Sequence, residues 1–288
     1  MFLQHNIPKR RFGIEVEFLF PTWREIERVV SQGFPIWVSP KKIPDFASKS
    51  KFNRHHEWKL ITDPSVRNLD GSVGFEINSP PLQGIEGLQK IATIFEMLNR
   101  CDALVDATCG LHVHFEIALD FDLVQFQNLI KLQLNLEDSF DCLVDFTRRY
   151  DNDFCKSNLK PFYECFIDEF GFDQDEILWT EKRRAELVRK AYTLLDDPEL
   201  VKQFILGSKY HKLNMSAIRK HDTVEVRHHQ GTLDLNEVVN WIMLQMALVE
   251  KAKSSTNVEP AMTFFDGPQK AFTVLSVNKK VIQYYLNK

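Results

Sequence analysis

Carboxylate side chains occur in two short segments within the first third of the sequence that alternate apolar and polar residues. Glu15 and Glu17 are two residues apart, and Glu76 lies in the second segment. Residues two apart on a strand share a face, so the first pair would repel each other unless a cation lay between them. Carboxylate oxygens suit Mg²⁺. The pattern favours a metal site, although solvated surface glutamates explain either segment taken by itself.

Two further segments carry the same alternation with other chemistry. His112 and His114 would share a strand face, where imidazoles can bind a metal or donate to phosphate. A hydrogen-bonded histidine pair is an equally good interpretation. Glu225 and Arg227 would also share a face. The carboxylate could hold a metal, while the planar, permanently charged guanidinium could meet a phosphoryl group. The alternative is an exposed ion pair that contributes little.

The elements that position these residues follow from hydrophobic periodicity. Apolar residues alternate with the ionisable ones, which predicts strands at 12–18, 73–78, 111–117 and 223–230. Less regular patterns predict strands at 57–61 and 209–218. Helical spacing predicts helices over 88–98 and 121–148, and one that begins with an Asp234–Glu237 capping box.

Strands with one apolar and one polar face predict an α+β fold with a mainly antiparallel sheet. Helices would cover the apolar face and leave the polar face open to a ligand. The four motif strands would bring four carboxylates, two histidines and one arginine to that face. A stable protein concentrates such charges only where cations and anions balance them.

Composition bounds the class of protein. The 288 residues are 44% hydrophobic and 26% charged, which is typical of globular proteins. A net charge of −4 predicts no general affinity for nucleic acid or an anionic membrane, although the basic residues of 49–56 could meet a phosphate. Five cysteines without a CxxC pair indicate a reducing compartment. Without a signal peptide or a membrane-spanning apolar run, the expected location is cytoplasmic.

Five motifs occur in a fixed order: FGIEVEF at 12–18, EINSPPL at 76–82, GLHVH at 110–114, TVEVR at 223–227 and GTL at 231–233. This series resembles the amidoligase family of carboxylate–amine ligases, relatives of glutamine synthetase and glutamate–cysteine ligase. The resemblance implies a curved sheet with an open concave active-site face, as in glutamine synthetase. It also implies one catalytic domain over 1–288, with a variable helical segment at about 150–207.

The resemblance further implies roles for individual residues. The positions that match metal ligands are Glu15, Glu17, Glu76, His112 and Glu225. Those that match nucleotide or cofactor contacts are His112, His114, Lys209 and Lys212, although solvated lysines are the simpler interpretation of the last two. Glu225 and Arg227 match catalytic positions. Asp63 and Ser65 match a family segment that could meet substrate, and a turn capped by Asp63 is an equally good interpretation.

The implied activity is ATP-dependent formation of an amide through an acyl phosphate. It would use two or three Mg²⁺ ions, for which Mn²⁺ can substitute, and would join a small-molecule or peptide carboxylate to an amine. One alternative is a zinc hydrolase using His112, His114 and a carboxylate, against which the excess of carboxylates favours Mg²⁺. The other is a non-catalytic nucleotide- or metabolite-binding relative, against which the full set of glutamates with Arg227 argues.

Overall fold

Strands and helices are mixed along the chain in the computed structural model, which describes residues 7, 9–67, 71–149, 152–170, 180–261 and 267–288. The strands are β1 (Phe12–Phe18), β2 (Ile36–Val38), β3 (Trp58–Arg67), β4 (Val73–Asn78), β5 (Gly110–Glu116), β6 (Leu213–Asn214) and β7 (Thr223–Gln230). The α+β class with mainly antiparallel strands is therefore confirmed.

The α-helices lie between and after these strands. They are α1 (Trp23–Ser31), α2 (Gly84–Arg100), α3 (Leu123–Asp141), α4 (Lys160–Cys165), α5 (Ile167–Phe170), α6 (Glu181–Leu194), α7 (Pro198–Leu206), α8 (Ile218–His221), α9 (Leu235–Ser254), α10 (Pro268–Val274) and α11 (Lys279–Leu286). The expected helical segment at about 150–207 thus contains α4 to α7 in its described part. Within the described ranges, no helix combines the length and apolar character needed to cross a membrane.

The chain divides into two compact units, each made of two stretches of sequence. The first comprises Met1–Phe115 and His229–Met243, and the second comprises Glu116–His228 and Leu244–Lys288. The division falls inside β5, β7 and α9, so these elements contribute residues to both units. That the whole chain acts as one catalytic domain stays a prediction.

In the first unit the strands follow the order β2-β3-β4-β1-β5. Only β2 and β3 run parallel among these pairs. The register places Glu15 opposite Asn78 on β4 and opposite His112 on β5, and it places Glu17 opposite Glu76. Because directly opposite residues share a face, the pairing itself gathers the ionisable side chains of three strands.

The other face of this sheet is apolar, as the sequence predicts. Ile14, Val16 and Phe18 are buried, and so are the helix-spaced residues of α2, namely Leu88, Ile91, Phe95 and Leu98. Gly87 lies where this helix approaches β1, and a Cβ there would come within 3.3 Å of Phe12 Cζ. The alternation of residue types along β1 therefore separates a hydrophobic core from a polar face.

The predicted strand at 57–61 is too short. The strand β3 begins at Trp58 and continues through Pro64 to Arg67, with a shift in register between Asp63 and Arg67. An irregularity of this kind accommodates a proline, which has no N–H to donate to the neighbouring strand. The Thr-Asp-Pro sequence predicts a turn, but the pairing of β3 with β4 outweighs that local preference.

The predicted strand at 209–218 is largely wrong. Only Leu213 and Asn214 form a strand, β6, which pairs antiparallel with β7 in the second unit. The side chain of Asn214 accepts a hydrogen bond from the backbone N–H of Ser216 at 2.9 Å. This contact starts a 3₁₀ turn at Met215 and ends the strand, because an asparagine side chain competes with strand pairing for backbone donors.

Candidate active site

Three carboxylates meet on the polar face of the first unit. One oxygen from each of Glu17, Asp63 and Glu76 lies within 4.8 Å of the others. The strand register accounts for the first and third residues, which are directly opposite each other. Asp63 joins them because β3 continues past the predicted turn and places this residue opposite Gly74 on β4.

This cluster is electrostatically unfavourable in isolation. Two unit charges separated by no more than 4.8 Å repel by at least about 3.5 kcal/mol at an effective dielectric constant of about 20. Burial raises the pKa of Glu76 well above its usual range, and the charges of Glu15, Glu17 and Asp63 raise it further, against a hydrogen bond from Asn78. The site therefore favours either a proton on Glu76 or a bound cation.

Donors from the chain fix the orientation of the two glutamates in the cluster. The backbone N–H of Gly110 donates to Glu17 Oε2 at 2.6 Å. The side-chain amide of Asn78 donates to Glu76 Oε1 at 2.7 Å. Both glutamates are buried, so their carboxylates keep a defined position rather than moving through solvent.

Asp63 is oriented by its own segment. Both the backbone N–H and the hydroxyl of Ser65 donate to Asp63 Oδ1, at 2.7 and 2.5 Å. The expected contact between Asp63 and the local backbone is present, but the segment forms part of strand β3 rather than a turn. Asp63 also belongs to the carboxylate cluster. Ser65 is exposed and acts on the site through Asp63. Its predicted contact with substrate stays a prediction.

Glu15 has different surroundings from Glu76. Its Oε2 lies 3.3 Å from His112 Nδ1, and its Oε1 lies 3.4 Å from His114 Nε2. Burial acts to raise the pKa of Glu15, but the charges and hydrogen bonds of His114 and His112 hold it well below its usual range. The face therefore holds one carboxylate that stays ionised and one, Glu76, that resists ionisation.

The second unit places Glu225 and Arg227 together on β7. Arg227 Nη1 donates to Glu225 Oε1 at 2.6 Å, and Asn214 Nδ2 donates to Glu225 Oε2 at 2.6 Å. The Arg227 guanidinium also lies 6.0 Å from the centre of the Tyr210 ring, and Lys209 Nζ lies 5.0 Å from that centre. The ion pair anticipated as an alternative is present, but it is not exposed: only 11% of the Arg227 side chain and 6% of the Glu225 side chain are accessible to solvent. A role for these residues at a shared active face stays a prediction.

Lys212 has an environment that the sequence does not indicate. The side chain is fully buried, and its Nζ donates to both oxygens of Asp141, at 2.6 and 2.9 Å. Glu137 lies 3.6 Å away, and His228 Nε2 lies 2.5 Å from Asp141 Oδ1. Burial acts to lower the pKa of Lys212, but Asp141 and Glu137 raise it above its usual range.

A solvated Lys212 is therefore ruled out by the structure. An incoming phosphate could reach its ammonium only by displacing Asp141. We therefore do not propose Lys212 as a contact of the nucleotide. Lys209, in contrast, is exposed. Sequence reasoning misses Asp141 because a carboxylate in the last turn of a helix gives no sign of its partner.

A family comparison bears on these features. Residues 8–249 match the model of a family described as putative amidoligase enzyme. The chain belongs to this family. The matched range contains every motif from which the amidoligase resemblance was inferred, so that inference is confirmed, and with it a ligase-type enzyme in general. A comparison with curated proteins gives no match.

The last amidoligase motif, GTL at 231–233, contacts the backbone next to the donor that orients Glu17. The backbone N–H of Gly231 donates to the carbonyl of Cys109 at 2.7 Å. A Cβ at Gly231 would lie 2.4 Å from Cys109 Cβ, so only glycine fits without displacement. Cys109 precedes Gly110, the donor to Glu17. The motif glycine thus supports the backbone that orients a cluster carboxylate.

The two residues of the predicted capping box, Asp234 and Glu237, follow this motif. Asp234 accepts from the backbone N–H of Asn236 at 2.8 Å, as a capping residue does. Glu237 accepts from the Thr232 hydroxyl at 2.8 Å and from the Gln230 amide at 2.9 Å. Glu237 therefore stabilises the amidoligase motif that precedes its helix.

Proposed function

We propose that this member of the amidoligase family is an ATP- and magnesium-dependent carboxylate–amine ligase that forms an amide through an acyl phosphate. The family supports a ligase in general. The observation that carries the finer proposal is the cluster of Glu17, Asp63 and Glu76. Three carboxylates on a polar sheet face, one of them with a strongly raised pKa, form a set that a hard divalent cation would stabilise.

The donor set suits Mg²⁺ because it consists of oxygens only. We assign Glu17, Asp63 and Glu76 as ligands of one ion, which adds Asp63, expected from the sequence as a substrate contact, to the metal ligands. Bound Mg²⁺ would neutralise the phosphate oxygens of ATP and hold the reacting groups in line. Glu15 and Glu225 are the remaining carboxylates proposed to hold further ions, with His112 beside Glu15.

The other polar residues would orient the phosphates of the nucleotide and neutralise their charge. Glu15 remains ionised between His112 and His114. Each of its two oxygens can therefore accept from one imidazole and fix the orientation of that ring. We assign these histidines to the nucleotide phosphates. Arg227 would contact the phosphoryl group as it transfers, because a guanidinium offers a planar fork of donors. Lys209 is the exposed lysine that could meet the nucleotide or a substrate anion.

The proposed reaction has two steps. An oxygen of the acid's carboxylate attacks the γ-phosphorus of ATP, and ADP leaves. The amine nitrogen then attacks the acyl carbon, phosphate leaves, and the nitrogen loses a proton. The activation is needed because a carboxylate by itself is a poor electrophile. The nucleotide product is therefore ADP and not AMP.

A direct test supplies hydroxylamine as a generic amine together with pools of acids, ATP and Mg²⁺. We expect ADP release that depends on the acid, and a hydroxamate of the consumed acid detected by mass spectrometry. The Glu17→Gln variant should lose both signals with its fold intact. Release of AMP, or no acid-dependent nucleotide cleavage with any acid, would refute the proposal. Stoichiometric bound zinc with hydrolysis of an amide would support the hydrolase alternative.

A further inference from the structure

The polar face of the first unit extends beyond the carboxylate cluster. The register aligns Trp37, Lys59, Asn78, Glu15 and His112 in one row across β2, β3, β4, β1 and β5. Directly opposite residues share a face. Neighbouring strands are about 4.8 Å apart, so the backbone of Lys59 lies roughly 10 Å from that of Glu15 along this row.

Lys59 is a half-buried lysine without an ion pair among the described residues. Its ammonium faces the ring of Phe52, and Nζ lies 6.0 Å from the centre of that ring. The Phe52 ring in turn lies 5.0 Å from that of Trp37. The aromatic pair supports the lysine side chain at the edge of the row, and its positive charge remains available to an anion.

The segment that leads into this lysine is strongly basic. Residues 41–59 contain six Lys or Arg and two Asp or Glu, which gives +4, while the whole chain carries −4. The basic residues are Lys41, Lys42, Lys49, Lys51, Arg54 and Lys59, all exposed except the last. Glu57, the nearest acid in sequence, accepts from the backbone N–H of Asn53 at 2.6 Å. No ion pair joins any of the six to a described acid.

We propose that the carboxylate substrate of this enzyme is an acidic peptide, which binds along the segment 41–59 and presents one carboxylate to the cation proposed at Glu17, Asp63 and Glu76. This inference rests on the proposed ligase function and names its acid. The charges are exposed and distributed over nineteen residues, more than one small diacid could neutralise. Nucleic acid fits less well, because it has no carboxylate for the proposed ligase to activate.

Binding can be measured without turnover. The probe is octaglutamate with an amino-terminal fluorescein, followed by fluorescence anisotropy at low salt, with octaglutamine as the neutral comparison. We expect the Kd for octaglutamate to rise at least tenfold in the triple variant Lys49→Gln, Lys51→Gln, Arg54→Gln. These three side chains are exposed, so the substitutions leave the fold intact.

Lys59→Gln should weaken binding by a similar factor. The matched control replaces three other exposed lysines, Lys90, Lys182 and Lys279, with Gln. It should keep the wild-type Kd if position matters rather than net charge. Equal weakening in the control and the basic-segment variant would overturn the proposal, and so would the absence of octaglutamate binding.

Two competing ligands complete the test. Octauridylate that binds tighter than octaglutamate would assign the segment to nucleic acid and overturn the proposal. Glutarate that competes at the same concentration as the peptide would assign it to small diacids, with the same consequence. Specific octaglutamate binding, together with no acid-dependent ADP release for any acid tested, would leave the peptide site standing and refute the ligase function, so the two failures are distinguishable.

Discussion

Glu76→Gln gives a direct test of the cation site. Glu76 is buried opposite Glu17, with Asp63 nearby. The substitution keeps the shape of the side chain and the oxygen that accepts from Asn78, but it removes the charge. It also removes a repulsion of at least about 3.5 kcal/mol per ionised neighbour, estimated at an effective dielectric constant of about 20.

In the metal-free protein the variant should therefore be more stable than the wild type. The wild type partly escapes the repulsion by protonating Glu76, so we expect a gain of about 1–3 kcal/mol rather than the full Coulomb value. Each kcal/mol raises the melting temperature by about 2–4 °C in chains of roughly this size. In the presence of Mg²⁺ the order should reverse, because the variant lacks a ligand.

The pH dependence follows from the raised pKa of Glu76. Below the unfolded pKa of about 4.3 both states are protonated and the group contributes nothing. As the pH rises further, the unfolded state loses its proton first, so the metal-free fold loses stability until the folded group ionises as well. The Gln variant lacks this loss, and the difference between the two proteins should widen over that window.

The assay is thermal unfolding with and without Mg²⁺, with Glu86→Gln as the control. Glu86 is an exposed residue on α2 that pairs with Lys90. At a Mg²⁺ concentration of 100 times Kd the wild type gains about 2.7 kcal/mol, whereas a site a hundredfold weaker gains about 0.4 kcal/mol. A Mg²⁺-induced shift in Glu76→Gln as large as that in Glu86→Gln would refute the cation site.

Three other substitutions test separate parts of the structure. Arg227→Lys should lower turnover by about a hundredfold or more if Arg227 meets the transferring phosphoryl group, with little change in affinity for Mg-ATP; a lower melting temperature with proportionate activity would show that it only pairs with Glu225. Gly231→Ala should cost about 1–3 kcal/mol because its Cβ collides with Cys109, and an unchanged denaturant midpoint would contradict this. Burial raises the pKa of Asp138 to about 6, so the stability of Asp138→Asn relative to the wild type should increase between about pH 4 and 6. Plots of the free energy of unfolding against pH that run parallel for the two proteins would contradict this.

Several elements were predictable because their sequence pattern and their tertiary environment agree. The strands at Phe12–Phe18, Val73–Asn78 and Thr223–Gln230 end where the alternation of apolar and polar residues ends. The alternation also identified Glu15, Glu17 and Glu76 as residues of one polar face. Periodicity predicts such elements well because burial of one face is the main force that forms them.

Local patterns fail where distant contacts decide the structure. Thr62–Asp63–Pro64 has the composition of a turn, yet strand pairing with β4 extends β3 through it and adds Asp63 to the cluster. A lysine is usually a surface residue, yet ion pairs with Asp141 and Glu137 stabilise Lys212 in the interior.

The sequence by itself therefore determined the strand faces, the motif residues and the family. The tertiary structure decided which carboxylates meet, and which charges are buried in pairs rather than left to solvent. The physical reason is the separation along the sequence of the residues that interact. Periodicity reports which side of an element faces the core, a property of neighbours in sequence. The pKa of Glu76 and the partner of Lys212 depend on charges from residues remote in the sequence, whose distances are set only when the strands and helices pack.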